Sequence, residues 1–277
     1  MNYIEITIVA SPDNTDILIA EMGELGYDVF QETENGFQAY ITEDLFAETA
    51  VQELLARYRF AGEFPYEVKT IAKQNWNEEW EKNFEPLLIA EKVSVRADFH
   101  PRPDGVEYDI VITPKMSFGT GHHETTTLMI ENQLTLDHHG KRVLDMGCGT
   151  GILAIMAEQL GAKQVLAVDI EDWTVENARE NAAHNGCTTL EVRLGNASVL
   201  AGEAPFDLIL ANINRNVLLE DMGEYSRLLQ PGGPLVLSGF YTEDLPLLQS
   251  KAAEHQLNYV SMRTKNNWVS AIFVKID

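Results

Sequence analysis

The sequence lacks the features that would place the protein in a membrane or an oxidising compartment. It contains two cysteines, Cys148 and Cys187, so no disulfide framework is indicated. No apolar run approaches the roughly 20 residues that a transmembrane helix needs. The first ten residues have no basic segment and carry Glu5 inside an apolar stretch, which predicts a strand and no signal peptide. We therefore expect a soluble, cytoplasmic protein that does not bind membranes.

Basic residues are scarce. Lysine and arginine total 20 against 43 aspartates and glutamates, which gives a formal net charge of -23. Such a field repels phosphate backbones, so we expect no direct contact with nucleic acid, and it attracts basic proteins. An acidic surface that only keeps the protein soluble explains the charge equally well. The composition, 45% hydrophobic and 23% charged, is that of an ordinary globular protein.

The first 72 residues predict a small α+β domain. Ser11 and Pro12 mark a helix start, with Ser11 as the N-cap. Ile17 in this helix and Leu45 in the second helix are expected on the buried sides. The order of elements, β-α-β-β-α-β, is typical of a ferredoxin-like domain. The predicted elements are strands over 3–9, 28–32, 37–42 and 66–71 and helices over 11–26 and 43–58.

Two further regions follow. Residues 73–85 predict a polar linker helix that places Trp76 and Trp80 on one face, where they would pin it to a neighbouring domain. Residues 86–277 predict one larger α/β domain. It begins with two strands, over 92–99 and 106–112.

From Lys141 onward, strands and helices alternate. Near-continuous apolar strands such as VLAVD and DLILA indicate burial on both faces, and hence a parallel, doubly wound, Rossmann-like sheet. An antiparallel pair, over 259–263 and 268–274, closes the chain. The predicted strands before it cover 142–146, 164–170, 190–194, 206–212 and 234–239, and the helices cover 151–160, 173–185, 216–229 and 243–255.

The strongest motif is VLDMGCGTG, which ends at Gly151. An apolar strand finishes at Asp145, and Gly147 and Gly149 then allow a tight turn with close approach to a ligand. Gly151 opens the next helix, whose first amides are free donors. The glycines fall as G-x-G-x-G, whereas a dinucleotide turn has its third glycine one place later. The motif therefore favours a nucleoside with a zwitterionic amino-acid tail over a pyrophosphate.

Two strand ends add polar side chains. Asp169 ends the second strand of this sheet, where an acid hydrogen-bonds ribose hydroxyls in doubly wound folds. Taken alone, it could simply cap the following helix. Asn212 ends the fourth strand, at the edge where ligands bind in open α/β sheets, and its carbonyl could accept from an amine or from the cofactor.

The segment MSFGTGHHETTT precedes the first strand of this sheet. It lacks the ligand cluster of a metal site, since His122 and His123 are adjacent and point apart, and we predict no metal. It also lacks the lysine of a phosphate-binding loop. A helix-capping role, with Thr125 or Thr126 as the capping hydroxyl, is the simplest interpretation.

The chain resembles the ribosomal protein L-eleven methyltransferase family, which methylates amines of a large-subunit ribosomal protein. The SFGTGHHETT loop is the most specific element. The stretch VLDMGCGTGILAIMA, Asp169, the ANIN segment at Asn212 and the tryptophan-bearing linker occur in the family's order. The resemblance spans nearly the whole chain, including the N-terminal domain, which recognises the substrate in that family.

The resemblance implies a methyltransferase that uses S-adenosyl-L-methionine and acts on lysine side chains, and on the N-terminal amine, of a basic ribosomal protein. Asn212 and Phe118 would position the reacting amine. Two alternatives stay open: a methyltransferase for another protein or a small molecule, and a cofactor-binding module without catalysis. The implied cofactor contacts are Thr126, Gly147, Asp169 and Asn212, joined by Gly119, Thr120 and Gly121 of the loop and by Asp145 and Gly149 of the turn.

Overall fold

The computed structural model describes residues 3–27, 29–33, 35–59, 62–71, 85–113, 119, 121 and 123–276. The chain divides into two compact units, Met1–Glu79 and Trp80–Asp277. No helix among the described residues is both long and apolar enough to cross a membrane. The predicted linker helix, with Trp76 and Trp80, lies outside the described residues.

The N-terminal unit has the predicted element order. Its four strands form one antiparallel sheet in the order β2-β3-β1-β4. Ile6 and Ile8 of the first strand are fully buried, together with Leu18, Met22 and Leu54 from the helices. The elements are β1 (Tyr3–Val9), α1 (Pro12–Glu24), β2 (Val29–Thr33), β3 (Gly36–Thr42), α2 (Glu48–Arg57) and β4 (Tyr66–Ile71).

Two local predictions in this unit are wrong. Ile17 is 48% exposed, because α1 turns the neighbouring Leu18 toward the sheet. Leu45 is 62% exposed, because its backbone N–H donates to Thr42 in a turn that delays the start of α2. The predicted N-cap of α1, Ser11, is confirmed, although its side chain makes no capping hydrogen bond.

The second unit opens with a three-stranded sheet, of which only two strands were predicted. The missed hairpin turns at Ala90 and Glu91, which both adopt positive φ, at 50° and 59°. Asparagine or glycine normally signals such a turn, and the sequence has neither here. The strands are β5 (Leu87–Ile89), β6 (Val93–Arg96) and β7 (Tyr108–Val111), with β5 antiparallel and β7 parallel to β6.

The main sheet has seven strands in the order β10-β9-β8-β11-β12-β14-β13. The first five are parallel and the last two antiparallel, as predicted. The chain reverses its winding direction between β8 and β11, which is where α/β sheets bind ligands. The strands are β8 (Arg142–Met146), β9 (Gln164–Asp169), β10 (Leu190–Leu194), β11 (Leu208–Asn212), β12 (Pro234–Tyr241), β13 (Leu257–Lys265) and β14 (Trp268–Lys275).

Helices cover both faces of this sheet. Along β11, Leu208 and Leu210 join one apolar cluster while Ile209 and Ala211 join the other, so successive side chains are buried on opposite faces. This burial on both faces fixes β8 and β11 at the centre of the sheet and places their carboxyl ends side by side. The helices are α3 (Glu124–Gln133), α4 (Ile152–Gln159), α5 (Asp172–His184), α6 (Arg215–Leu228) and α7 (Leu245–Glu254).

Candidate active site

The glycine-rich turn after β8 is held against the end of β9. The backbone N–H groups of Gly147 and Cys148 both donate to the carbonyl of Val168, at 2.8 and 3.0 Å. Gly147 adopts a φ of 70°, and a Cβ there would lie 2.1 Å from Cγ2 of Ile213. Glycine is therefore required at position 147 for two reasons, the backbone conformation and the close approach of the segment after β11.

Asp169 connects this turn to the next helix. Its Oδ2 accepts from the backbone N–H of Gly149 at 2.9 Å, and its Oδ1 accepts from that of Glu171 at 3.2 Å. The carboxylate is partly exposed and lines a cavity. Two backbone bonds thus fix its orientation, and the exposed side remains open to hydroxyl donors of a ligand.

The cavity has a volume of about 580 Å³ and lies at the carboxyl ends of β8, β9 and β11. Its walls are mostly apolar, and its acidic side chains are Asp169, Glu171 and Asp221. None of the described lining residues is lysine or arginine. The described lining also includes His123, Thr125, Met146, Gly147, Gly149, Val168, Ile170, Trp173, Thr174, Gly195, Asn196, Asn212, Ile213, Asn214, Val217, Gly239 and Trp268.

Asp221 was not predicted as a site residue. It lies on α6, where burial raises the pKa of its carboxyl, and the hydroxyl of Tyr225 donates to it at 3.3 Å. Trp173 and Trp268 were also missed. Neither tryptophan belongs to the glycine-rich motif, so the motif did not indicate them. Each lies near a strand end, where ligands bind in α/β sheets.

Asn212 is at the predicted place, the last residue of β11. It is 8% exposed and lines the cavity. Its side-chain oxygen is buried and has no hydrogen-bond partner among the described residues. An orphaned buried acceptor is costly unless a donor binds it, so Asn212 fits a ligand or substrate with an N–H or O–H group.

Thr126 lies in the first turn of α3 and is fully buried. Its hydroxyl oxygen has no partner among the described residues, and the cavity is lined by the neighbouring Thr125 instead. The predicted capping role for these threonines is wrong. Both lie inside the helix, and the N-cap is His123, whose ring nitrogen Nδ1 accepts from the backbone N–H of Thr125 at 3.3 Å.

Asp145, a predicted cofactor contact, is not among the described residues that line the cavity. It is fully buried, and its Oδ2 accepts from the backbone N–H of Ala154 in α4 at 3.1 Å. Its side chain precedes the turn and lies beneath it. Burial raises the pKa of this carboxyl to about 7. Asp145 therefore supports the start of α4, while Gly147 and Gly149 reach the cavity wall.

The loop before α3 is described in part. Phe118, Thr120 and His122 lie outside the described residues. Gly119 and Gly121 both adopt positive φ, at 100° and 92°. Neither is among the described residues that line the cavity. The described residues contain no cluster of three or more metal-ligating side chains.

Comparison with known proteins identifies one family. The family described as ribosomal protein L11 methyltransferase matches residues 7–276. The protein of that name from Phocaeicola vulgatus is 44% identical over 279 residues, which is 99% of each chain. The one from Porphyromonas gingivalis is 47% identical over 260 residues, covering 93% of this chain and 90% of the relative.

Solved structures give the same result. The crystal structure of ribosomal protein L11 methylase from Lactobacillus delbrueckii subsp. bulgaricus aligns with a TM-score of 0.63 and 30% identity. It covers 70% of this chain and 100% of its own. A methyltransferase from Pyrococcus furiosus aligns with a TM-score of 0.51 and 21% identity over 61% of this chain and 90% of its own, which supports a methyltransferase-like α/β fold. The resemblance expected from the sequence is confirmed, and the chain belongs to the ribosomal protein L11 methyltransferase family.

Proposed function

We propose that this protein transfers methyl groups from S-adenosyl-L-methionine to lysine side chains, and to the N-terminal amine, of ribosomal protein L11. The observation that carries the proposal is the charge of the cavity. Three carboxylates, from Asp169, Glu171 and Asp221, face it without a lysine or arginine among the described lining residues. Such a cavity repels phosphate-bearing ligands and stabilises cations, and both reactants of amine methylation are cationic in water.

The residues present fit this cofactor. Asp169 offers an oriented carboxylate for ribose hydroxyls. Asn212 holds a buried side-chain oxygen without a partner among the described residues, and the backbone of Gly147 lines the same cavity. When bound, the cofactor supplies a methyl group on a sulfonium, which an amine can take by in-line displacement.

The protein must then present a neutral amine in line with that methyl group. A lysine has a reference pKa of about 10.4, and an apolar surrounding lowers it by disfavouring the ammonium form. Met146, Val168 and Ile213 supply such a surrounding. We assign Asn212 to accepting an N–H of the amine, which directs the nitrogen lone pair. Phe118, outside the described residues, is proposed to position the amine from the loop.

The entry for the amine is proposed at a groove that joins the cavity. Asn214, Gly239 and Trp268 line both. The rings of Tyr241 and Trp268 lie 4.1 Å apart between centroids. Glu243 adds a carboxylate at the groove, where Arg215 is paired with Asp244. An aromatic pair beside a carboxylate attracts an ammonium group.

Substrate recognition is proposed for the N-terminal unit, residues 1–72, which we classify as ferredoxin-like from its element order. Residues 86–277 then form the catalytic domain, and residues 73–85 are the linker between them. Residues 1–71 contain 14 aspartates and glutamates but only three lysines and arginines. This charge complements a basic ribosomal protein, and a bound substrate that is tethered to the catalytic domain has a raised effective concentration there.

The test is a methyl-transfer assay with labelled cofactor and purified ribosomal protein L11. We expect label on the ribosomal protein, mapped by mass spectrometry to lysine side chains and the N-terminus. Asn212→Ala is the matched inactive control. Label on a different protein of a ribosomal extract, with none on L11, would contradict the assigned substrate. Cofactor binding by calorimetry without transfer to any protein would favour a binding module.

A further inference from the structure

Thr150 lies in the middle of the glycine-rich turn but does not line the cavity. It is fully buried. Its hydroxyl donates to the backbone carbonyl of Gly119 at 2.6 Å. Its own backbone carbonyl accepts from the side-chain amide of Asn181 at 2.8 Å. Thr150 therefore links the turn after β8 to a residue 31 positions earlier in the chain.

The contact leaves no room for a side chain at position 119. Gly119 has a φ of 100°, and a Cβ there would lie 2.9 Å from the hydroxyl oxygen of Thr150 and 3.5 Å from its backbone nitrogen. The backbone of Gly119 thus lies directly against the threonine side chain.

Thr113 is attached to the same turn through Asn181. The backbone N–H of Thr113 donates to the side-chain oxygen of Asn181 at 2.8 Å, while the amide nitrogen of Asn181 bonds Thr150. Asn185, the C-cap of α5, exchanges two hydrogen bonds with the backbone of Val111, at 2.9 and 2.6 Å. Thr113 and Gly119, six residues apart, are consequently both fastened to Thr150, one directly and one through Asn181.

We propose that Thr150 is a positioning residue for methyl transfer, which acts through Gly119 by fixing the backbone at that position relative to the cofactor turn. The inference rests on the proposed function. Without the hydroxyl, the buried carbonyl of Gly119 loses this donor. The turn keeps its bonds to Val168 and Asp169, which do not involve the Thr150 side chain. Cofactor binding should therefore survive while alignment for transfer suffers.

The experiment compares Thr150→Val, which keeps the shape and removes the hydroxyl, with Thr150→Ser, which keeps the hydroxyl. We expect Thr150→Val to lower kcat by about 10- to 100-fold, as misplacement of reacting groups does. The cofactor Kd from calorimetry should change by less than about threefold, since only alignment in the transition state is lost. Thr150→Ser should restore most of kcat.

A readout without substrate accompanies these assays. Lys115 is the single trypsin site between residues 103 and 140. Cleavage after Lys115 should be faster in Thr150→Val than in the parent protein and in Thr150→Ser, with thermal unfolding of the three proteins used to confirm that they fold.

Unchanged kcat and unchanged cleavage in a folded Thr150→Val would overturn the inference. Parallel losses of cofactor affinity and kcat would also overturn it, because Thr150 would then only build the cofactor turn. A parent protein that fails to methylate L11 contradicts the proposed function instead, and the cleavage rates still decide whether Thr150 holds the loop.

Discussion

The carboxylate of Asp169 accepts a hydrogen bond from the backbone N–H of Gly149 at 2.9 Å. This bond joins the end of the second strand of the Rossmann-like sheet to the glycine-rich turn that follows the first. The group expected to hold the ribose is therefore also a group that shapes the cofactor turn. Both roles predict that loss of this carboxylate weakens cofactor binding.

We expect Asp169→Ala to weaken cofactor binding by about 1.5–3 kcal/mol, the usual value of a hydrogen bond to a charged group. Isothermal titration calorimetry measures it. Glu176→Ala is the matched control, because Glu176 is exposed on α5 and does not line the cavity. Equal cofactor affinity in the two folded variants would show that Asp169 does not bind the cofactor.

Gly147→Ala tests the close approach of the segment after β11. The added Cβ meets Ile213 at 2.1 Å, and a positive φ for a residue other than glycine costs on the order of 1–3 kcal/mol. We expect a loss of both stability and cofactor affinity. Gly140→Ala is the control, since Gly140 has almost the same φ, 69°, but no atom within 4 Å of its Cβ position.

The two contributions at Gly147 can be separated. In the Ile213→Ala background, Gly147→Ala should cost no more stability than Gly140→Ala does, as measured by urea unfolding. Equal costs of Gly147→Ala with and without Ile213 would show that steric contact with Ile213 contributes nothing.

Asp145 predicts a dependence of stability on pH. Burial raises the pKa of its carboxyl from 3.8 to about 7 in the folded protein, so the folded state binds a proton that the unfolded chain releases. Its contribution to stability is complete below about pH 4 and declines as the pH rises toward 7, by a total on the order of 3–5 kcal/mol.

Asp145→Asn cannot ionise and should lack this decline. We expect its free energy of unfolding, relative to that of the parent, to rise between pH 4 and pH 8. Chemical denaturation at a series of pH values gives the difference directly and cancels the titration of other groups. A constant difference across this range would show that Asp145 titrates normally.

A chain that begins at Lys73 tests whether the N-terminal unit recognises the substrate while the second unit binds the cofactor. Every described residue that lines the cavity lies beyond this point, so we expect cofactor affinity to be retained. Methylation of ribosomal protein L11 should fall strongly, because the acidic N-terminal unit is absent. In the full chain, added salt should raise the KM for the ribosomal protein as it screens this charge.

Full methylation by the shortened chain would contradict the recognition role. Loss of cofactor binding together with loss of cooperative unfolding would show that the N-terminal unit is needed for the fold itself. Calorimetry, the methyl-transfer assay and a thermal melt therefore distinguish the outcomes.

Sequence patterns predicted the central sheet well, because buried parallel strands and glycine turns depend on local residue types. β8 was predicted at its observed limits, and Asp169 and Asn212 stand at the strand ends where the cavity lies. Asp145 shows the limit of this reasoning: its neighbours in the motif reach the cavity, but its own side chain is buried beneath the turn.

Contacts between distant elements could not be read from local patterns. Asp221 reaches the cavity from the second turn of α6, and Trp268 reaches it from the start of the last strand. One signal was available but missed. Asn177, Asn181 and Asn185 recur every four residues, which places three amides on one face of α5, where they bond the backbone of residues 111 and 113.

The central position of β8 has a consequence for the order of events during synthesis. β8 pairs with β9, the next strand, but its other neighbour is β11, which ends at Asn212. Ile213 lies against Gly147 on one side and Gly239 on the other. A growing chain can complete the N-terminal unit early, since all its strand pairings are made by residue 71. The cofactor turn at Gly147, by contrast, gains its contact with Ile213, and through it with Gly239, only after both have been synthesised. Most of the chain has therefore left the ribosome before the cofactor turn has all of its contacts.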